Sequence, residues 1–174
     1  MSILKISQLG HPILLQQSKP VKNIKSQEVK KLIYDMSETM LDAQGVGLAA
    51  PQVYQNKQII IFRNPEDQTE QDIKITALIN PKITMTSEET DNQWEGCLSI
   101  PGMLGLVKRH SSISYEGFDM SGNRIHQNAE GLQARIVQHE CDHLNGIVFT
   151  HRLVDKKAYG YEDEIEEYWK KQHE

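Results

Sequence analysis

The feature that most constrains the fold of this chain is an apolar helical stripe that ends in two histidines. Leu132, Ile136, His139 and His143 follow the spacing i, i+4, i+7 and i+11, which predicts one face of a helix beginning at about Glu130. Because the imidazoles continue an apolar face, we expect them to be buried and to need polar partners. A metal ion would be such a partner for both rings, since residues four apart lie about one helical turn from each other.

The same segment, His139-Glu140-Cys141-Asp142-His143, has the HExxH pattern of metal-dependent hydrolases. Glu140 is turned about 100° from His139 and can reach a water on a metal held by the two histidines. Cys141 lies about 200° from His139, which indicates a packing thiol outside the metal site. The pattern is short and histidines also occur on ordinary amphipathic helices, so a purely structural role is the alternative at this point.

The identity of a third metal ligand separates the classes of hydrolase. Phe149 stands where the metzincin pattern needs a third histidine, which excludes that class. A glutamate about twenty residues after the motif would indicate a small endopeptidase of the gluzincin type, and Glu162 and Glu164 lie near that distance. Cys97 competes with them because a thiolate binds zinc or ferrous iron strongly, although a free cysteine is more commonly a small buried residue.

Length and charge narrow the class of protein. A chain of 174 residues predicts a single domain over residues 1–174. The net charge of −5 argues against nucleic-acid recognition, which usually needs a basic face. No apolar run approaches bilayer length and the first residues lack the apolar core of a signal peptide, so we expect a cytoplasmic protein without a membrane partner. Cysteines there are thiols or metal ligands rather than a disulfide.

Hydrophobic periodicity predicts an α+β fold. A helix is expected over residues 26–44, with Ser26 as its N-cap and Gly45 as its stop. The tail over residues 161–171 is also expected to be helical, with Ile165 and Trp169 on one face. The strands between the helices are expected at residues 58–63, 73–79, 83–85, 106–108, 113–118 and 124–127. This order predicts antiparallel or mixed strands around a central metal-binding HExxH helix, with an N-terminal and a C-terminal helix.

Three ordered motifs connect these elements to a known family. Residues 45–52 read GVGLAAPQ, residues 95–99 read EGCLS, and residues 138–146 read QHECDHLNG. In this order they resemble the signature motifs GxGLAAxQ, EGCLS and QHExDHLxG of the peptide deformylase family. Residues 10–14, GHPIL, are also similar to the N-terminal segment of that family.

The resemblance implies metal-dependent hydrolysis of a formyl amide. One divalent metal, Fe(II) in the cell with zinc, nickel or cobalt able to replace it, would be held by Cys97, His139 and His143. Glu140 would take a proton from the metal-bound water and deliver it to the leaving amine. The Gln52 side-chain amide and the Leu98 backbone N–H would hold the oxyanion.

The implied substrate is the N-terminal formyl-methionine of nascent polypeptides, and the product released is formate. Ordinary core packing is an equally weighted interpretation for the apolar members of the predicted pocket. The residues expected to bind substrate are Gly45, Val46, Gly47, Leu132, Arg135 and Ile136. Glu95 is expected to orient its neighbours, and Asp142 to pair with Arg109.

Two positions depart from the family pattern. Leu104 stands where many members have an arginine that contacts the bound peptide, which leaves that contact in doubt. Some bacterial members dock on the ribosome through a basic C-terminal helix, whereas this tail is acidic, so only a transient ribosome contact is considered. A small metalloendopeptidase and a non-catalytic structural metal domain remain the alternative functions.

Overall fold

The computed structural model describes residues 2–64 and 73–170 and folds them into two antiparallel sheets with three α-helices. The helices are α1 (Gln27–Asp42), α2 (Gly131–Leu144) and α3 (Glu162–Ile165). The strands are β1 (Gly47–Ala49), β2 (Ile59–Phe62), β3 (Thr76–Met85), β4 (Thr90–Cys97), β5 (Ile100–His110), β6 (Ser112–Phe118), β7 (Arg124–Glu130) and β8 (Tyr159–Tyr161). The predicted α+β class is confirmed. None of the helices in the described ranges is long and apolar enough to cross a membrane.

The larger sheet, in the order β1-β2-β3-β6-β7, lies between the two long helices. Successive side chains of a strand point to opposite faces, and β2 shows the consequence. Ile59 and Ile61 pack into the core shared with α1, whereas Ile60 and Phe62 pack into the core shared with α2. A strand buried on both faces has a continuous apolar sequence, which is why this segment was recognisable from its sequence.

Helix α1 follows its predicted course at the N-terminal end and stops slightly earlier than expected. The Ser26 side chain accepts a hydrogen bond of 3.2 Å from the Val29 backbone N–H, as an N-cap does. The helix ends at Asp42, and the left-handed residue that follows it is Gln44, with φ of 55°, rather than Gly45. Gly45 instead provides space, because a Cβ there would lie 2.9 Å from Leu98 Cδ1.

The smaller sheet, in the order β4-β5-β8, was only partly predicted. Strand β4 was not predicted at all, because its sequence has no apolar alternation and only one of its eight residues is fully buried. It is held by its long antiparallel pairing with β5, from Thr90 opposite His110 to Cys97 opposite Ile100. A strand that forms mainly by pairing with its neighbour depends on the tertiary structure, and the β-propensity of its own residues does not reveal it.

The predicted C-terminal helix needs a correction. Tyr161 belongs to β8, α3 contains only four residues, and a π-helical turn over Glu166–Lys170 follows it; residue 171 lies outside the described part of the chain. Strand β8 pairs with Met103, Leu104 and Gly105, so pairing with β5 takes priority over helix formation here. Ile165 is buried as expected, while Trp169 is 37% exposed and its ring contacts the ring of Trp94.

Helix α2 packs against strands of both sheets, and residues 134–144 are all buried. The chain leaves the helix at Asn145, and Gly146 adopts a left-handed φ of 71°. A Cβ at Gly146 would lie 2.6 Å from the carbonyl carbon of Leu15, so glycine is needed both for the turn and for this close approach. Gly146 therefore ends the helical course of the chain, and α2 carries its histidines towards the end of β4.

Candidate metal centre

Three potential metal ligands converge between α2 and the end of β4. Ligand atoms of Cys97, His139 and His143 all lie within 4.8 Å of one another, and Cys97 Sγ is 3.3 Å from His143 Nε2. The pair of histidines comes from one helix face, whereas the cysteine is brought in by the β4–β5 hairpin. One thiolate and two imidazoles form a donor set that suits zinc or ferrous iron.

A buried carboxylate orients the first of these histidines. Glu95 Oε2 lies 2.9 Å from His139 Nδ1, so the other ring nitrogen, Nε2, is left for a ligand. Arg109 donates two hydrogen bonds of 2.9 Å to Glu95, and Arg135 donates one of 2.7 Å. Burial alone would raise the pKa of Glu95, but hydrogen bonds from His139 and Arg109 outweigh it and hold that pKa well below its usual range.

A second carboxylate continues this network along α2. Asp142 accepts a hydrogen bond from Arg109, and Arg152 binds both of its oxygens at 2.7 and 3.0 Å. The structure thus brings Arg109 and Asp142 together, and it adds Arg152 to them. Arg109 is almost fully buried between two carboxylates, so its charge is compensated in the interior.

The surroundings shift the pKa values of the two histidines in opposite directions. Burial dominates for His143 and lowers its pKa well below the usual value, which favours the neutral ring with a free lone pair. Burial also opposes charge on His139, but hydrogen bonds with Cys97 and Glu95 outweigh it and raise its pKa.

Phe149, at the position where a metzincin has a histidine, stacks on the His139 ring with centroids 6.3 Å apart. Burial strongly raises the pKa of the Cys141 thiol, which packs in the apolar core.

Glu140 lies in a small space created by a glycine. A Cβ on Gly47 would be 2.3 Å from Glu140 Oε1 and 2.9 Å from its Cγ. The other carboxylate oxygen of Glu140, Oε2, is buried and has no hydrogen-bond partner among the described residues. Burial raises the pKa of Glu140 to about 7. The carboxylate is therefore poorly solvated and beside the candidate ligands, where it can exchange a proton near neutral pH.

Two hydrogen-bond donors, one from a side chain and one from the backbone, lie next to Cys97. Gln52 Oε1 accepts a hydrogen bond of 2.8 Å from the Ala49 N–H, which directs its Nε2 towards Cys97 Sγ at 3.4 Å and Ser99 Oγ at 3.2 Å. Leu98 follows Cys97 in the turn between β4 and β5, and its backbone N–H has no hydrogen-bond partner in residues 2–64 and 73–170. Both groups are donors at the edge of the site.

A groove of about 580 Å³ opens onto these residues. The residues predicted to bind substrate all line it: Gly45, Val46, Gly47, Leu132, Arg135 and Ile136. The guanidinium of Arg135 already has protein partners, because it binds Asp91 Oδ1 at 2.6 Å and the Val107 carbonyl at 3.0 Å as well as Glu95. Leu104 and Glu162 line the same groove.

Sequence reasoning missed several residues of the site. Ser99, Asp91 and Arg152 bind Gln52, Arg135 and Asp142 respectively, and no sequence spacing connects these pairs. Only Ser99 could have been found, because it belongs to the EGCLS motif. Neither Glu162 nor Glu164 belongs to the group of potential ligands found in the described residues, which contains Cys97 instead.

Comparisons with known proteins agree with these motifs. The family model described as polypeptide deformylase matches residues 3–159. Peptide deformylase 1 of Nitrosomonas europaea is 42% identical over 166 residues, which cover 94% of each chain. A ligand-bound crystal structure of the class I type b peptide deformylase from Acinetobacter baumannii has a TM-score of 0.82 and 37% identity, covering 88% of this chain and 100% of that one. A Met-Ala-Ser-bound structure of that organism's class I type b peptide deformylase has a TM-score of 0.78 and 37% identity, with the same coverage of both chains.

Proposed function

The chain belongs to the polypeptide deformylase family, enzymes that remove an N-terminal formyl group, and from this premise we propose how its own residues perform the reaction. We infer that residues 1–174 form one catalytic domain that hydrolyses formyl-methionine at the start of nascent polypeptides and releases formate. The observation that carries the proposal is the convergence of Cys97, His139 and His143 beside the buried carboxylate of Glu140.

We propose that Cys97, His139 and His143 together bind one divalent metal ion. The short distances between their ligand atoms and the Glu95 contact that leaves His139 Nε2 free both support this assignment. A divalent ion with these ligands supplies a Lewis acid that polarises the formyl carbonyl and a water molecule. Fe(II) is the proposed ion in the cell, and zinc, nickel and cobalt suit the same donors.

Glu140 is proposed to move the proton. It accepts a proton from the water that attacks the formyl carbon, and it donates that proton to the methionine nitrogen as the carbon–nitrogen bond breaks. The products are formate and a free amine. A pKa near neutrality suits a group that must both accept and release a proton, which supports this role.

Gln52 and Leu98 are proposed to stabilise the oxyanion that forms on the formyl oxygen. The Gln52 amide is held by Ala49 with its NH2 group directed at Cys97, and the Leu98 N–H is not used by another described residue. Donors that are already oriented need no rearrangement when charge develops. One such donor typically lowers the activation barrier by about 3 kcal/mol.

The groove is proposed to bind the start of the polypeptide. Val46, Leu132 and Ile136 would contact the methionine side chain, Gly45 and Gly47 would let the substrate backbone approach, and Arg135 would contribute its aliphatic stem. The related structure with bound Met-Ala-Ser supports this, because that peptide has the sequence of a deformylation product. A formyl group is small, so a tight space at the metal would exclude larger acyl groups.

The proposed partners are nascent formyl-methionyl chains in the cytoplasm, where they are made. A transient ribosome contact would have to use a surface other than the acidic segment after β8, because that segment would be repelled by RNA phosphates. We propose neither nucleic-acid recognition nor membrane binding for this protein.

Two substitutions separate these roles. Glu140→Ala should abolish formate release from formyl-Met-Ala-Ser while the protein, prepared without oxygen and loaded with iron, still contains one metal per chain. Glu38→Ala, the same change at an exposed position of α1, is the control and should keep wild-type turnover. Retained hydrolysis in the Glu140 variant would contradict its role, and no turnover by the iron-loaded wild type would favour the structural metal domain.

Metal analysis distinguishes a deformylase site from an endopeptidase site. Cys97→Ser should lower bound metal far below one equivalent, whereas the control change Cys141→Ser should not. Glu164→Ala should also retain the metal. Loss of metal in the Glu164 variant alone would favour the glutamate ligand of an endopeptidase.

A further inference from the structure

The segment that follows α2 returns to the metal centre at two residues. Phe149 stacks on the ring of His139. Three residues later, Arg152 binds Asp142 through Nε at 3.0 Å and through Nη2 at 2.7 Å. The segment therefore contacts one candidate ligand directly and reaches the charged network beside it through an arginine.

The fold fixes the position of Arg152 on both sides along the chain. Its backbone N–H donates to the Phe149 carbonyl at 2.8 Å, and the Val154 N–H donates to the Leu106 carbonyl of β5 at 3.0 Å. The Arg152 side chain is 45% exposed, whereas the Asp142 side chain that it binds is only 11% exposed. This contact therefore differs from an ordinary surface ion pair, because an anchored backbone directs the guanidinium to a nearly buried carboxylate.

Asp142 needs a second cation because its other partner is shared. Arg109 donates two hydrogen bonds of 2.9 Å to Glu95 and a third hydrogen bond to Asp142, so one guanidinium meets two buried carboxylates. Arg152 gives Asp142 a bidentate partner of its own. Without that partner, the poorly compensated charge of Asp142 would draw Arg109 away from Glu95.

Glu95 connects this balance of charges to a metal ligand. Its Oε2 atom lies 2.9 Å from His139 Nδ1, which sets the orientation of the ring and leaves Nε2 for the metal. Partners that orient a ligating histidine in this way typically change metal affinity by about 10- to 100-fold. A displacement of Arg109 would loosen Glu95 and, through it, the ring.

We propose that Arg152 is a positioning residue for the metal ligand His139. It satisfies Asp142 and so leaves Arg109 bound to Glu95. The inference rests on the metal site of the proposed deformylase function and deepens it by adding a residue that does not line the substrate groove. Because Arg152 acts through other side chains, its removal should weaken metal binding less than removal of a direct partner, by about 3- to 10-fold.

The test measures zinc affinity by competition with a chromophoric chelator. Arg152→Gln should weaken zinc binding by about 3- to 10-fold. Arg152→Lys should weaken it less, since an ammonium group keeps the charge but not the two-point contact. An effect of charge alone would have the opposite sign, because removal of a nearby cation favours a divalent metal ion. Tighter zinc binding by the glutamine variant, with the lysine variant equal to the wild type, would therefore overturn the inference.

Arg124→Gln is the matched control. Arg124 lies in β7 and also binds a carboxylate, that of Glu116 at 3.2 Å, but this pair is exposed and lies outside the network of Glu95 and Asp142. The control variant should keep wild-type zinc affinity. The cobalt-loaded protein gives a second measurement, since its visible absorption bands should shift in Arg152→Gln and not in the control.

A purely structural role for Arg152 would lower the urea midpoint of its variants and leave their zinc affinity and cobalt absorption unchanged. That result would overturn the inference alone. In the metal-loaded Arg152→Gln variant, kcat for formyl-Met-Ala-Ser should fall while KM stays at the wild-type value, because Arg152 does not line the groove. A raised KM with unchanged zinc affinity would also contradict the positioning role. Failure of the wild type to bind zinc would instead overturn the proposed metal site itself.

Discussion

The space that Gly47 leaves for Glu140 yields a quantitative prediction. A Cβ at Gly47 would lie 2.3 Å from Glu140 Oε1, whereas an ordinary contact begins at 3.4 Å. The carboxylate would therefore have to move by about 1 Å, because β1 is paired with β2 and its backbone cannot easily retreat. A displacement of about 1 Å in a catalytic group can reduce its rate about 100-fold. We expect Gly47→Ala to lower kcat for formyl-Met-Ala-Ser by about that factor.

The stability of this variant should change much less than its activity. The atoms in the way belong to a side chain that can rotate, so the overpacking should cost about 1–3 kcal/mol in the free energy of unfolding. The measurements are formate release, bound metal and urea denaturation. Gly160→Ala is the control, because a Cβ there would meet Ile165 at 3.6 Å, an ordinary contact. If Gly47→Ala kept more than half of the wild-type kcat with its metal bound, the proposed placement of Glu140 would be refuted.

Three further substitutions test how the scaffold supports the site, each by urea denaturation. Ser26→Ala removes the N-cap of α1 and should cost about 1 kcal/mol; an unchanged unfolding midpoint would contradict the capping bond. Gln138→Ala breaks two hydrogen bonds of 3.1 and 2.9 Å to the backbone of His110 and should cost about 1–3 kcal/mol, and a neutral result would mean that water replaces them. Arg135→Met removes one cation from the buried Glu95 and should cost about 3 kcal/mol; a stabilised variant would show that burying this charge is net unfavourable.

The parts of the fold that were predictable are those governed by short-range periodicity. Helix α1, strand β2 and the histidine helix each carry an apolar pattern that matches their own geometry. Strand β4 has no such pattern, because it is stabilised by hydrogen bonds to β5 and only one of its eight residues is fully buried. The tail was expected to be helical from its local sequence, yet pairing with β5 draws Tyr161 into a strand.

The spacing of His139 and His143 by itself determined that both rings share a helix face, because that relation depends only on helical geometry. The family motifs added Cys97 to them by resemblance. Only the tertiary structure decided that Glu95 orients His139 across 44 residues, that Arg135 binds Glu95 and Asp91, and that Gly47 makes room for Glu140. These contacts join segments that are far apart in the sequence. The ion pairs among them form only where the fold brings opposite charges together and so offsets the cost of removing them from water, which no local sequence pattern records.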